Sequence, residues 1–398
     1  MQEARIVIGA NFGDEGKGLM TDFFAREYMN KYGKCLVSCT NGGSQKGHTV
    51  ISEDGDRHVF HHFGSGNFVG ADTFLTRFFI VNPIIFNREY DELLAKKALT
   101  KTYVDKRCRV TLPTDMMLNQ LVEERRGSGK HGSCGFGIFE TICRSKELAI
   151  TVEDLLYIEN DNIREFGGRI GNNSFDAIKE YVKRRMDFLG ISTDNEGDNW
   201  KEVFEHIDDI LENFIHDVKA FLSCIIITDE DVLQKYEGVV FEASQGLMLD
   251  MDNEEYMPHL TPSNTGIKNP ATIIGDYEQD VDSVCCYVTR SYMTRHGAGR
   301  FDTECAKELI NADMYDRTNV PNIYQDTLRY GWLDTADLRK RIDKDVETNS
   351  NGINPEIRLA VTHINEYAEN LDDIRKTFED IPLYESYSES GTGHLRLV

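Results

Sequence analysis

Gly13-Asp14-Glu15-Gly16-Lys17-Gly18 brings together residue types that suit phosphate chemistry. Glycines let a backbone approach an anion closely, a helix amino terminus offers unpaired N–H groups and a positive dipole end, and Lys17 adds a point charge. The spacing is not that of the common P-loop, whose glycine-rich run closes on Gly-Lys-Ser/Thr. A tight structural turn would explain the glycines alone. Asp14 favours the phosphate reading, because an acid inside an anion cradle is unfavourable unless it holds a metal ion or takes a proton.

The elements that must place this loop are legible on either side of it. Ile6-Val7-Ile8-Gly9 reads as a buried strand and Leu19 to Tyr28 as a helix, so the loop lies at a strand's carboxyl end. Cys35–Ser38 is a second strand leading into Asn41-Gly42-Gly43-Ser44-Gln45-Lys46-Gly47-His48-Thr49, and Val239–Glu242 a third leading into Ala243-Ser244-Gln245-Gly246. Val284–Thr289 is a further strand, residues 65–82 hold strand-like apolar positions, and Arg88–Ala98 and Thr114–Arg126 read as helices. This alternation predicts an α/β fold, a large and mostly parallel central sheet wrapped by helices, with ligands gathering at the carboxyl ends of the strands. Charge-rich helical periodicity near 152–222 predicts a helical insertion within one domain spanning 1–398, since no repeat or linker divides the chain.

Composition narrows the function classes. The chain has 398 residues, 40% hydrophobic and 28% charged, as expected of a globular protein. A formal charge of −24 argues against binding nucleic acid through the bulk surface, so an anionic substrate needs a local cluster of cations and N–H groups. No apolar run reaches the ~20 residues of a membrane span, and no basic-then-apolar signal opens the chain; a cytoplasmic location is expected. The nine cysteines lack the paired C-x-x-C spacing of a zinc site and are expected as reduced core thiols.

Taken in order, these segments resemble the adenylosuccinate synthetase superfamily over nearly the whole chain. Gly13 to Gly18 matches its signature loop, and Asn41 with Gly47-His48-Thr49-Val50 its second motif. Phe241-Glu242-Ala243-Ser244-Gln245-Gly246-Leu247-Met248-Leu249-Asp250 is similar to its central glutamine segment. Ser263-Asn264-Thr265, Thr294-Arg295-His296-Gly297-Ala298-Gly299 and Gly331-Trp332-Leu333-Asp334 add three matches in the family's order. The resemblance implies a homodimer and a two-step, Mg²⁺-dependent ligation of aspartate to a purine monophosphate. It makes Asp14 the acceptor of the purine N1 proton and, with Gly47, a contact for the metal. His48 would protonate or hydrogen-bond the transferring phosphoryl group, Lys17 would stabilise its charge, and Gln245 would face the purine O6 edge. Gly13, Glu15, Gly16, Gly18 and Thr49 would line the triphosphate. Asn41, Thr261 and Asn264 would border the purine monophosphate, with Ser133 or Cys134 where the family holds that phosphate with a hydroxyl. Arg144 is the candidate for the arginine that crosses from a neighbouring subunit.

Three departures bear on which nucleotides are used. The family reads the guanine of GTP with Thr-Lys-x-Asp, where this chain has Thr362-His363-Ile364-Asn365. An ionised aspartate only accepts, which suits guanine's two N–H donors; asparagine offers one donor and one acceptor, which suits adenine. ATP or dATP is therefore the expected donor, with Gly391 and Gly393 in the base-contacting terminal loop. The family's arginine-rich aspartate loop is absent, leaving Thr318 and Arg329 as candidates for holding the substrate aspartate. Gln45-Lys46 replaces the usual Asn-Ala beside the purine monophosphate. These features resemble the phage branch, which ligates aspartate to dGMP. Asp14, which members of that branch often lack, keeps ligation to IMP open as the alternative. A non-catalytic nucleotide sensor would be expected to lose Asp14 or His48, and both are present.

Overall fold

Ile6 pairs with Phe241 on one side and Cys285 on the other, which puts the strand Glu3–Gly9 in the middle of a ten-stranded sheet. This computed structural model describes residues 1–127, 134–157, 174–192, 198–277, 279–314, 328–388 and 395–398; Ser133, Thr318, Gly391 and Gly393 lie outside them. Across the sheet the strands run Arg396–Leu397, Leu383–Glu385, Glu356–Thr362, Asp282–Arg290, Glu3–Gly9, Gly238–Glu242, Leu36–Cys39, Asp72–Leu75, Thr102–Asp105 and Ile226–Thr228. All neighbours are parallel except Arg396–Leu397 against Leu383–Glu385. The central strands are near-continuous apolar runs because helices cover both faces of a parallel sheet; Ala4, Ile6, Val7 and Ile8 are wholly buried.

Parallel pairing brings the carboxyl ends of five strands to one edge: Gly9, Cys39, Glu242, Arg290 and Thr362. The segments Gly13–Gly18, Asn41–Thr49, Ala243–Gly246 and Thr362–Asn365 follow or begin at four of these ends. The helix after the first loop is Lys17–Tyr32, entered from Gly16 at φ 92° and left through Gly33 at φ 70°, both left-handed and both glycine. The helix expected at Arg88–Ala98 begins earlier, as Pro83–Ala95, because Asn82 caps the amides of Ile84 and Ile85 and Pro83 occupies the first turn.

The charge-rich region contributes the helices Val152–Leu155, Ser174–Leu189, Asp198–Glu205 and Ile207–Cys224. Its Phe175, Ile178, Leu211 and Phe214 share a core with Leu75, Phe86 and Val104, so the helices close one end of the sheet. All nine cysteines are free. No helix among the described residues is long and apolar enough to cross a membrane.

Candidate active site

The glycine-rich loop is organised from within by Glu15. Its buried carboxylate accepts from the amides of Asn11 at 3.1 Å and Gly13 at 2.7 Å, while Oε2 lies 3.1 Å from Lys17 Nζ. The Gly13 amide and the Glu15 carboxylate thus engage each other, and Glu15, placed among the nucleotide contacts from sequence, borders the cavity described below. Gly9 must be glycine, since a Cβ there would fall 2.4 Å from Glu15 Oε2 and 2.5 Å from the Gln245 carbonyl oxygen. Asp14 is left at the crest of the loop with φ 61° and its side chain 25% exposed, with His296 Nε2 3.7 Å from its carboxylate.

His48 opens the strand His48–Ile51, with Nδ1 2.8 Å from Glu242 Oε1. Burial, opposed by Glu242, lowers the His48 imidazole to about 4. The neutral ring donates its Nδ1 hydrogen to Glu242, which leaves Nε2 as an acceptor. The second oxygen of Glu242 pairs with Lys46 Nζ at 2.9 Å, and Lys46 also donates to the Phe63 carbonyl at 2.7 Å. Both side chains are fully buried. The expectation that Lys46 borders the purine monophosphate is thereby corrected: it turns inward because Glu242 requires a cation there. Although burial pushes the Glu242 carboxyl up, Lys46 and His48 hold it well below the usual carboxylate range. Gln45 Oε1, one residue before, is buried with no hydrogen-bond partner.

Asn41 proves to be a brace. Its Oδ1 accepts from the Ser244 amide at 2.7 Å, and its Nδ2 donates to the Ser244 carbonyl and Ser263 Oγ, both at 3.1 Å. Its amide thereby fixes the Ser244-Gln245 turn against the loop that begins at Asn41. Gln245 has φ 60°, and its Oε1 would lie 3.8 Å from a Cβ on Gly42. Three of the five non-glycine residues with positive φ among those described, Asp14, Gln245 and His363, stand at this one edge of the sheet. Such backbone costs of order 1–3 kcal/mol each and persists where surrounding bonds over-determine it.

A cavity of about 540 Å³ opens beside the loop, lined by Asp14, Lys17, His48, Arg290, Thr362 and Asn365 among others. Gly16, Gly18, Gly47 and Thr49 also border it, so the sequence-predicted phosphate residues meet the predicted base-reading segment in one space. Thr362 Oγ1 donates to the Glu15 carbonyl at 2.8 Å, tying that segment to the loop. Asn365 is exposed at the cavity wall. Arg290, Tyr292 and Glu366 line the same cavity and were not singled out from sequence. The available signal was position: Arg290 is the last residue of a central strand, where ligands gather.

Other assignments change. Arg144 is fully buried, its guanidinium on Asp115 and on the carbonyls of Val110 and Leu148, so it cannot cross to another subunit. Arg329 pairs with Glu304 and donates to the Gly297 and Gly299 carbonyls, partners it would exchange in part to hold a substrate carboxylate. Asn264 donates to Asp250 at 3.2 Å and Asp252 at 2.8 Å and braces that loop. Thr261 is half-buried, its amide held by Leu249. Cys134 is half-buried near Asp14; burial, then the Asp14 charge, pushes its thiol up to about 11.

The donor set fits magnesium. Asp14 and Gly47, which offer a carboxylate and a backbone carbonyl, both border the cavity. Among the described residues no group of three or more His, Cys, Asp or Glu could hold a metal. A hard cation completing its shell from phosphate oxygens suits this sparse set, as magnesium sites commonly do.

A doubly covered, mostly parallel sheet with a glycine-rich loop bordering a cavity at its carboxyl edge is an α/β enzyme fold. Residues 6–354 match the model of the family described as adenylosuccinate synthetase, and the chain belongs to that family, carbon–nitrogen ligases that join aspartate to a purine nucleotide. It is 28% identical over 391 residues to the adenylosuccinate synthetase of Lactobacillus acidophilus, covering 97% of this chain and 80% of that one. The Neisseria gonorrhoeae enzyme of the same name is 30% identical over 345 residues, 85% and 73% of the two chains. In fold, the chain is similar to the fully ligated adenylosuccinate synthetase from Plasmodium falciparum, with TM-score 0.63, 18% identity and coverage of 91% and 77%. It is also similar to the cyanophage S-2L succinoaminodeoxyadenylate synthetase bound to dGMP and dATP as an energy donor, with TM-score 0.64, 14% identity and coverage of 100% and 95%.

Proposed function

We propose that this chain uses ATP or dATP to ligate L-aspartate to C6 of dGMP, through a 6-phosphoryl intermediate, giving the N6-succino-2-amino-2′-deoxyadenylate. The purine 6-oxo oxygen is a poor leaving group, so the amine of aspartate cannot displace it directly. Asp14 accepts the N1 proton, which makes O6 nucleophilic toward the γ-phosphate, and Gln245 faces that oxygen. Lys17 offsets charge on the transferring group, and His48, protonated at Nε2 from solvent as phosphate charge gathers beside the ring, donates a hydrogen bond to it. Aspartate then attacks C6 and phosphate leaves. Magnesium, held by Asp14 and the Gly47 carbonyl, would supply positive charge to the donor phosphates.

The observation that supports the acceptor assignment is Gln45, in the loop that departs from the family's sequence, whose Oε1 is closed off without a partner and would have to turn toward the base to bond it. A buried acceptor without a partner costs about 1–3 kcal/mol, and the 2-amino group of guanine is the donor that IMP lacks. The donor assignment rests on Asn365 at the cavity wall, whose amide matches adenine's N6 donor and N1 acceptor. The names of the curated relatives and the retained Asp14 favour a second reading, ligation to IMP. Phosphate release with aspartate, crossing IMP, GMP and dGMP against ATP and GTP, separates the two. dGMP with ATP should be the fastest pair, and robust turnover of IMP alone would return the chain to the ordinary synthetases.

A further inference from the structure

We propose that Arg290 is a positioning residue for Asp14, locked in place by Tyr292 and Glu366, so that the turn reading the donor base also holds the proton-accepting loop. This rests on the reading of Asp14 and of the 362–366 turn given above. Arg290 is 6% exposed, and its Nε donates to the backbone carbonyl of Asp14 at 2.5 Å. Its NH1 donates to Tyr292 Oη at 2.7 Å, and that hydroxyl in turn donates to the Glu366 carboxylate. Glu366 is itself fixed, since its carbonyl accepts from Asn311 Nδ2 at 2.9 Å. The base-reading turn thus reaches the loop twice, through this chain to Asp14 and through Thr362 Oγ1 to Glu15.

The bonds have a mechanical consequence. Asp14 sits at φ 61°, a conformation an aspartate leaves readily unless its carbonyl is held. A guanidinium holds its Nε and NH1 hydrogens in one rigid plane, so one side chain can fix the Asp14 carbonyl while being fixed by Tyr292; a lysine ammonium, though it has three donors, is a rotatable point charge and holds neither partner in a set direction. Displacement of a proton acceptor by about 1 Å can cost a hundredfold in rate, which makes the placement of this carbonyl a catalytic variable.

The test is Tyr292→Phe, which keeps the ring and removes the hydroxyl between Arg290 and Glu366. Turnover should fall about tenfold, with KM for both nucleotides within about threefold and the thermal midpoint retained. Arg290→Lys should fall at least as far, and Glu366→Ala, changed at the cavity wall, should fall in the same direction. In an Asp14→Asn background Tyr292→Phe should add nothing, because a residue acting through Asp14 has nothing left to position. Unchanged turnover of Tyr292→Phe, or the same fractional loss in the Asp14→Asn background, overturns the inference while leaving the reading of Asp14 intact. Near-normal turnover of Asp14→Asn alone overturns that reading, and the inference with it.

Discussion

Lys46 Nζ lies 2.9 Å from Glu242 Oε2, with neither side chain exposed to solvent. A buried pair of this kind contributes little net stability relative to apolar residues, yet removing one partner leaves an uncompensated charge in the core. Lys46→Met should therefore destabilise the fold by about 3–5 kcal/mol in urea unfolding, and Lys46→Met with Glu242→Gln should recover most of that loss. A single variant as stable as the parent would show that Glu242 does not depend on Lys46.

His48 and Asp14 face one cavity from different elements, a strand and a strained loop. Substituting Asp14→Asn or His48→Asn should lower turnover by about a hundredfold or more, the usual scale for positioned acid–base groups, with donor binding nearly unchanged in His48→Asn. Calorimetric titration with ATP beside steady-state rates distinguishes lost chemistry from lost binding. Normal turnover in either variant removes that residue from the mechanism.

Asp22, on the first helix, carries a buried Oδ1 without a partner, and its other oxygen is 3.5 Å from Arg26. Burial, opposed by Arg26, pushes its carboxyl up to about 6. The folded state then binds the proton more tightly than the unfolded chain. The favourable contribution is fully present below the unfolded value near 4 and is lost as pH rises through about 6, so at pH 7–8 the ionised carboxylate opposes folding. Asp22→Asn should raise stability by up to about 3 kcal/mol at pH 8 and by nothing near pH 4. Thermal midpoints of both proteins across that range check it; a gain independent of pH rules out the carboxylate as its source.

The architecture was legible where apolar runs end in glycine or asparagine. Ile6–Gly9, Cys35–Ser38 and Val239–Glu242 are buried strands that had to be covered on both sides, and parallel order then carried their loops to one edge. Side-chain direction within those loops was not legible. Lys46 reads as a neighbour of the purine monophosphate until Glu242, distant in sequence, is seen to need a cation. Arg144 reads as a free guanidinium until Asp115 is folded against it, and Arg329 until Glu304 is. Arg290 went unnoticed for the converse reason: its partners are a backbone carbonyl and a tyrosine hydroxyl, which leave no charge pattern in the sequence.

The donor pocket offers a test of asparagine against aspartate at one exposed position. Asn365 can present a carbonyl to adenine's N6 hydrogens and an amide hydrogen to N1; aspartate can only accept, as guanine's N1 and N2 hydrogens require. Asn365→Asp should shift the preference from ATP toward GTP by about 1–3 kcal/mol in relative kcat/KM. Rates with both donors at fixed acceptor decide it, and a parent enzyme that already prefers GTP defeats the asparagine argument.

Gln45 bears on the acceptor. Its loop is pinned on one side by Asn41 against Ser244 and on the other by Lys46 against Glu242, which fixes the backbone on both sides of the half-buried Gln45. Its Oε1 is nonetheless buried and unpaired. A bound guanine would supply the missing donor through its 2-amino group, whereas hypoxanthine carries only hydrogen at that position. Gln45→Leu should therefore lower kcat/KM for dGMP by about 1–3 kcal/mol while leaving IMP nearly unchanged, since the lost bond exists with only one of the two purines. Phosphate release at matched concentrations of each acceptor reads the difference. An equal loss for both purines would mean that Gln45 supports the loop without reading the base, and the case for dGMP would then have to rest on other residues.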